Sequence, residues 1–188
     1  MKRIIIFASG AGSNARQIIN HFKKNPTAAV CLICCNKPGA GVLGIAADEQ
    51  IPTLMLEKER FFNGDAYLSE IDSYQPDLIV LAGFLWKLPA ALVEAFPQKI
   101  INIHPALLPA FGGKGMYGKR VHEAVLAAGS AESGISIHYV DEHFDHGDLI
   151  FQARCSVDPD DTPETLARKI HALEHKHFPE VIDNLLKL

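Results

Sequence analysis

Asn102 and His104 flank Ile103 where an apolar run ends, in the stretch IINIHPALLPAF (100–111). A carboxamide is a neutral hydrogen-bond donor; an imidazole donates, accepts and changes charge near neutral pH. Pro105 and Pro109 follow, so no regular strand or helix continues from there. Further on, HFDHGD (143–148) supplies Asp145 and Asp148 after another strand-like run. A carboxylate beside a histidine orients the ring and favours its charged form, which is the expectation for Asp145 and His104. An amide, an imidazole and a carboxylate brought together would stabilise an oxyanion and move protons. No serine or cysteine sits in a nucleophile elbow, so direct transfer is expected over a covalent acyl-enzyme. His122, His138, His143, His146 and His177 read as surface or supporting residues.

SGAGSNA (9–15) follows a first strand and opens a helix. It fits the weaker form of the dinucleotide fingerprint, but NKPG (36–39) stands where an acidic residue should hold a ribose. A site for a single phosphate needs only helix-opening amides and small residues, and is the simpler reading. GKGMYGKR (113–120) has the glycine and lysine spacing of a P-loop but ends in Arg120, without the hydroxyl that would hold a metal ion, and no strand precedes it. A mobile glycine-rich lid fits it better. HALEH (171–175) puts two histidines on one helix face, as in some zinc peptidases, but no third ligand is evident. Cys31, Cys34, Cys35 and Cys155 lie on apolar, strand-like stretches and read as reduced core thiols. No metal is expected.

These residues need a frame. RIIIFA (3–8), AVCLIC (29–34), LIVLAG (78–83) and KIINI (99–103) are short apolar strands, with PTLML (52–56) a shorter one. Helices are expected over 13–24, 41–50, 65–74 and 89–95. Strands alternating with helices imply an α/β fold, a Rossmann-like, mostly parallel sheet covered on both faces. Ligands bind such sheets at the carboxyl ends of the strands, where SGAGSN, AGFLWK and NIHP all fall. After a helix over 118–129, GISIHYV (134–140) and DLIFQARCSV (148–157) read as an antiparallel hairpin, with Ser136 and His138 on one face. A long terminal helix runs from Thr162 to Leu188, with Thr162 as N-cap and Pro163 in the first position.

The 188 residues suit one domain, 1–188, taken as a nucleotide- and phosphate-binding half (1–100) and a catalytic half (101–188). A net charge of −4 argues against general nucleic-acid binding. No apolar run is long enough to span a membrane. The start, MKRIIIFASG, reads as a strand rather than a leader, so a cytoplasmic location is expected.

SGAGSN, VLAGFLWKL (80–88), INIHPALLP (101–109), SGISIHYV (133–140) and DHGDLIFQ (145–152) occur in one order and spacing. In this the chain resembles the phosphoribosylglycinamide formyltransferases, folate-dependent enzymes of purine synthesis, over essentially its whole length. The resemblance implies formyl transfer from 10-formyltetrahydrofolate to the amine of 5-phosphoribosylglycinamide. It implies Asn102, His104 and Asp145 as catalytic residues, with Ser136 as a supporting hydroxyl. Gly12, Ser13 and Asn14 would hold the phosphate, and His171, Ala172, Leu173 and Glu174 would lie beside the nucleotide. Leu85, Trp86, Lys87 and Leu88, with Asn102 and the loop of Asp141, Glu142, His143, Phe144 and Asp145, would bind the folate. Where relatives often carry Arg or Lys, this chain has Asn63 and Gly64. The Gly112–Lys119 loop is longer than in many members. Other folate-using formyltransferases or hydrolases would be expected to bring a further domain. A non-catalytic nucleotide-binding module would keep the phosphate loop and dispense with the trio.

Overall fold

The computed structural model describes residues 1–187. The chain alternates β1 (Lys2–Ala8), α1 (Ser13–Lys24), β2 (Ala28–Cys35), α2 (Gly41–Asp48) and β3 (Thr53–Met55). Then come α3 (Lys58–Phe62), α4 (Leu68–Ser73), β4 (Leu78–Leu81), α5 (Ala90–Ala95) and β5 (Ile100–His104). The remainder is α6 (Lys119–Ala127), β6 (Glu132–Tyr139), β7 (Leu149–Ser156) and α7 (Pro163–Leu185).

The strands form one seven-stranded sheet in the order β3-β2-β1-β4-β5-β6-β7. The first five in that order pair in parallel; β6 then pairs antiparallel with β5, and β7 antiparallel with β6. The continuous apolar run of β1 now has its reason. Ile4, Ile6 and Ala8 face a layer built with α1, α2, α6 and α7, while Ile5 and Phe7 face one built with α3, α4 and α5. A strand buried on both faces cannot alternate in polarity.

Chain order reverses between β1 and β4, and a crevice opens there at the carboxyl ends of the strands. The loops after β1, β4 and β5 all empty into it. The sheet runs unbroken through residues 100 and 101, inside or at the start of β5.

Two helices depart from expectation. The helix expected over 65–74 begins only at Leu68; residues 64–67 form a turn that starts with Gly64 at φ 74. The five-residue α3 was not expected; KERFF is too short to show a helical period. α7 is opened by Thr162, whose side chain accepts from the Thr165 amide while Thr165 accepts in return from the Thr162 amide. α7 ends at Leu185, with Leu186 as its C-cap, short of the expected end at Leu188, which itself lies outside the described residues. Among the described residues, no helix is long and apolar enough to cross a membrane.

Candidate active site

A cavity of about 750 Å³ occupies the crevice. On one side α1 opens after Gly12, which sits at φ 80 with no side-chain cap on the helix. The first-turn amides therefore stand beside the cavity without a side-chain partner, the arrangement an anion fills. A Cβ on Gly12 would lie 2.8 Å from the Val42 Cβ, so this glycine is needed for packing against α2. Opposite, the buried Glu174 of α7 accepts from Asn14 Nδ2 at 3.0 Å and from His171 Nδ1 at 2.9 Å through one carboxylate oxygen. The Glu174 hydrogen bond raises the His171 pKa against partial burial, which lowers it. Asn14 Oδ1 and His122 Nδ1 are buried without a hydrogen-bond partner. Among Gly12, Ser13, Asn14 and the 171–174 stretch, all but Ala172 and Leu173 line the cavity. Ala172 points to solvent and Leu173 packs on the core.

At the end of β5, Asn102, His104 and Asp145 meet. Asp145 Oδ2 accepts from the Gly113 amide at 3.0 Å, and Oδ1 accepts from Asn102 Nδ2 at 3.3 Å. Asn102 Nδ2 also lies 3.1 Å from His138 Nε2. His138 Nδ1 sits 2.8 Å from the Tyr139 carbonyl, which fixes its proton there and leaves Nε2 as an acceptor for Asn102. The β5–β6 register sets Asn102 opposite His138 and His104 opposite Ser136.

His104 is 3% exposed. Its Nε2 donates to the Phe111 carbonyl at 2.8 Å, and its Nδ1 stands 3.5 Å from Asp145 Oδ2. The expectation that Asp145 holds His104 charged is corrected here. Burial lowers the His104 pKa and outweighs the Asp145 charge and the Phe111 hydrogen bond, which raise it. The geometry agrees: a charge-assisted N–H···O bond runs to about 2.7–2.9 Å, shorter than this separation. Burial works to raise the Asp145 pKa, but the hydrogen bonds and charges around it, the Gly113 amide among them, bring it below the ordinary value.

Ser136 does not face the cavity. Its hydroxyl donates to the Ala106 carbonyl at 2.7 Å and accepts from the Leu108 amide at 2.9 Å and Gln152 Nε2 at 2.8 Å. It pins the turn that follows His104. Leu85, Trp86, Lys87 and Leu88 line the cavity, with the Leu85 amide donating to Ser9 Oγ at 3.0 Å. Trp86 packs against Phe61 and Phe62 of α3, with ring centroids 5.6 and 5.5 Å away. Asp141, His143, Phe144 and Asp145 also line it, whereas Glu142 faces solvent outside it. Arg60 is committed locally, donating to the Ala66 carbonyl at 3.3 Å and lying over the Tyr67 ring. The cavity's cations come from Lys87 and from Lys114, Lys119 and Arg120 of the glycine-rich loop and the start of α6.

Sequence reasoning undervalued His138, His122 and Gln152. The pairing of Ser136 with His138 on one strand face was the available signal for His138. The Phe111 carbonyl and Gly113 amide carry no side-chain signature at all.

A mostly parallel sheet here carries an amide, an imidazole and a carboxylate at its switch-point crevice, beside a helix end open to an anion, a combination suited to group transfer on an anionic substrate. The formyl transferase family model matches residues 2–182. The chain is 39% identical to phosphoribosylglycinamide formyltransferase of Bacillus subtilis, over 100% of this chain and 96% of that one. It is 41% identical to the chloroplastic phosphoribosylglycinamide formyltransferase of Arabidopsis thaliana, covering 96% of this chain but only 64% of the plant protein. The crystal structure of phosphoribosylglycinamide formyltransferase from Bacillus halodurans superposes with a TM-score of 0.90 at 37% identity, over 98% of this chain and 95% of that one. The chain belongs to the formyl transferase family, and within it to the phosphoribosylglycinamide formyltransferases.

Proposed function

We propose that the chain moves the formyl group of 10-formyltetrahydrofolate onto the glycinamide amine of 5-phosphoribosylglycinamide, in de novo purine biosynthesis. The observation that carries this reading is the convergence of Asn102, His104 and Asp145 at one end of a cavity whose other end is the uncapped start of α1. The phosphate sits at Gly12, Ser13 and Asn14, the ribose near Glu174 and His171, and the folate against Leu85–Leu88 and the 141–145 loop. Both halves of the chain contribute to both substrates.

The free amine attacks the formyl carbon, and the carbonyl π pair moves to oxygen. His104 Nε2 already holds a carbonyl oxygen, that of Phe111. The formyl oxygen displaces it and takes the same N–H as charge develops. Asn102 spends its amide protons on His138 and Asp145 and so holds the carboxylate in place. The surplus proton of the new ammonium passes through His104 and Asp145, by way of water, to the folate nitrogen as its bond to carbon breaks. Neutral His104 is ready to receive that proton, and the oxyanion then favours its charged form.

Formyl transfer to an amine needs no Lewis acid once His104 takes the oxyanion, so treatment with a chelator leaves kcat at saturating substrates unchanged. Unpaired thiols at all four cysteines suit the cytoplasm. The test is an assay with both substrates, following tetrahydrofolate by absorbance. Formate release without need of the ribonucleotide would replace transfer by hydrolysis, and no folate turnover at all would sink the reading.

A further inference from the structure

We propose that Asp141, His143 and His146 form a binding site for a divalent transition-metal ion, with Zn²⁺ the best match. All three belong to the loop between β6 and β7. One donor atom from each lies within 4.8 Å of the other two, and no other such group of His, Cys, Asp or Glu occurs among the described residues. The backbone prepares this. Asp141 Oδ1 accepts from the His143 amide at 2.7 Å, which folds the loop back on itself. His146 Nδ1 then lies 3.0 Å from Asp141 Oδ2, and the two histidine rings stand 5.4 Å apart.

Two imidazoles and a carboxylate are the protein ligands of one common class of zinc site, with bonds of about 2.0–2.2 Å and an open position for water. That bond length puts donors roughly 3.3 Å apart in a tetrahedron, so the widest pair must close by up to about 1.5 Å. The side chains can do so by rotation alone, since His143, His146 and Asp141 are 65%, 75% and 37% exposed. The His146–Asp141 contact marks the place of the ion. Imidazole donors favour Zn²⁺, Cu²⁺ or Ni²⁺ over Mg²⁺ and Ca²⁺.

The same loop carries Asp145 and lines the cavity with His143 and Phe144. An ion here stays outside the chemistry but clamps the loop. Resting on the proposed function, this loop must adapt around the folate, so occupancy raises the folate KM and leaves the ribonucleotide KM alone.

The test of the site itself needs no substrate. Metal-free protein is titrated with Zn²⁺ against a chromophoric chelator. One equivalent should bind, unaffected by excess Mg²⁺, and His143→Ala and His146→Ala should each weaken binding by at least about tenfold. Circular dichroism checks that these exposed variants stay folded. Absence of binding, binding unchanged in the His143→Ala/His146→Ala double variant, or binding abolished instead by His171→Ala/His175→Ala would overturn the site. Zinc that binds but leaves the folate KM unmoved would overturn the coupling. Absence of formyl transfer with zinc still bound would count against the activity alone.

Discussion

His104 is pulled in two directions, and the balance decides how the site works. Burial favours the neutral ring and Asp145 favours the charged one; burial wins. The pH dependence of kcat/KM reports such groups in the free enzyme. Its acid limb should therefore fall below the ordinary imidazole value of about 6.5. Asp145→Asn removes the charge that raises the His104 pKa, so the limb, and the pKa read by NMR titration, should move lower still. An unchanged His104 titration would remove Asp145 from this role. His104→Ala should lose about 10²-fold or more in kcat with little change in substrate affinity, because the donor matters most when the oxyanion forms. Adding Asn102→Ala should cost less than the product of the separate losses, since Asn102 holds the Asp145 carboxylate that faces His104 and the residues act as a unit. A folded His104→Ala protein with near-normal single-turnover rates would end the proposal. The trio's residue types were legible because a strand ending in NIHP shows Asn102 and His104, and HFDHGD after another strand-like run supplies Asp145. The sign of the His104 shift was not, because burial is set by the Phe111–Gly113 turn and by β6, neither of which announces its contact with the ring.

At the scale of elements, the phosphate-side turn was legible and the job of its glycines was not. SGAGSN after a strand gives a helix start. Only the packing shows that Gly12 is held by α2 rather than by the ligand: at φ 80, with Val42 and Ile45 atoms within 2.9 Å of any added Cβ, it cannot be replaced without strain. Gly12→Ala should therefore cost about 1–3 kcal/mol in urea unfolding and says little about phosphate. Gly10 lines the cavity with nothing within 4 Å of an added Cβ. Gly10→Ala should keep the fold and raise the ribonucleotide KM more than the folate KM. Equal rises in both would count against a phosphate at this turn. The main strands were readable because apolar runs of that length, separated by helical periods, leave few alternatives. α3 escaped notice, yet its Phe61 and Phe62 wall Trp86; in so short a helix, the aromatic packing carries the stability and the period does not show.

Across the whole molecule, the buried histidines link stability to pH. His104 and His122 are each 3% exposed, and burial is the main cause that lowers the pKa of both. In the unfolded chain they titrate near the ordinary value of about 6.5. Between that value and their lower folded values, the unfolded state binds more protons, so stability rises with pH. Their contribution is thus fully present above about 6.5 and is lost as pH falls through the folded values. His171 has the opposite sign: its pKa is raised by Glu174, so its contribution is present in acid and lost as pH rises through the raised value. That side chain is 55% exposed, and solvent screens its share. The buried pair should therefore set the sign. Urea unfolding at pH 7.5, 6.5 and 5.5 should show stability falling toward acid, before the carboxylates begin to protonate. A folded His104→Gln/His122→Gln protein should show a flatter dependence over the same range. A slope as steep as that of the unmodified chain would mean that other groups carry the linkage.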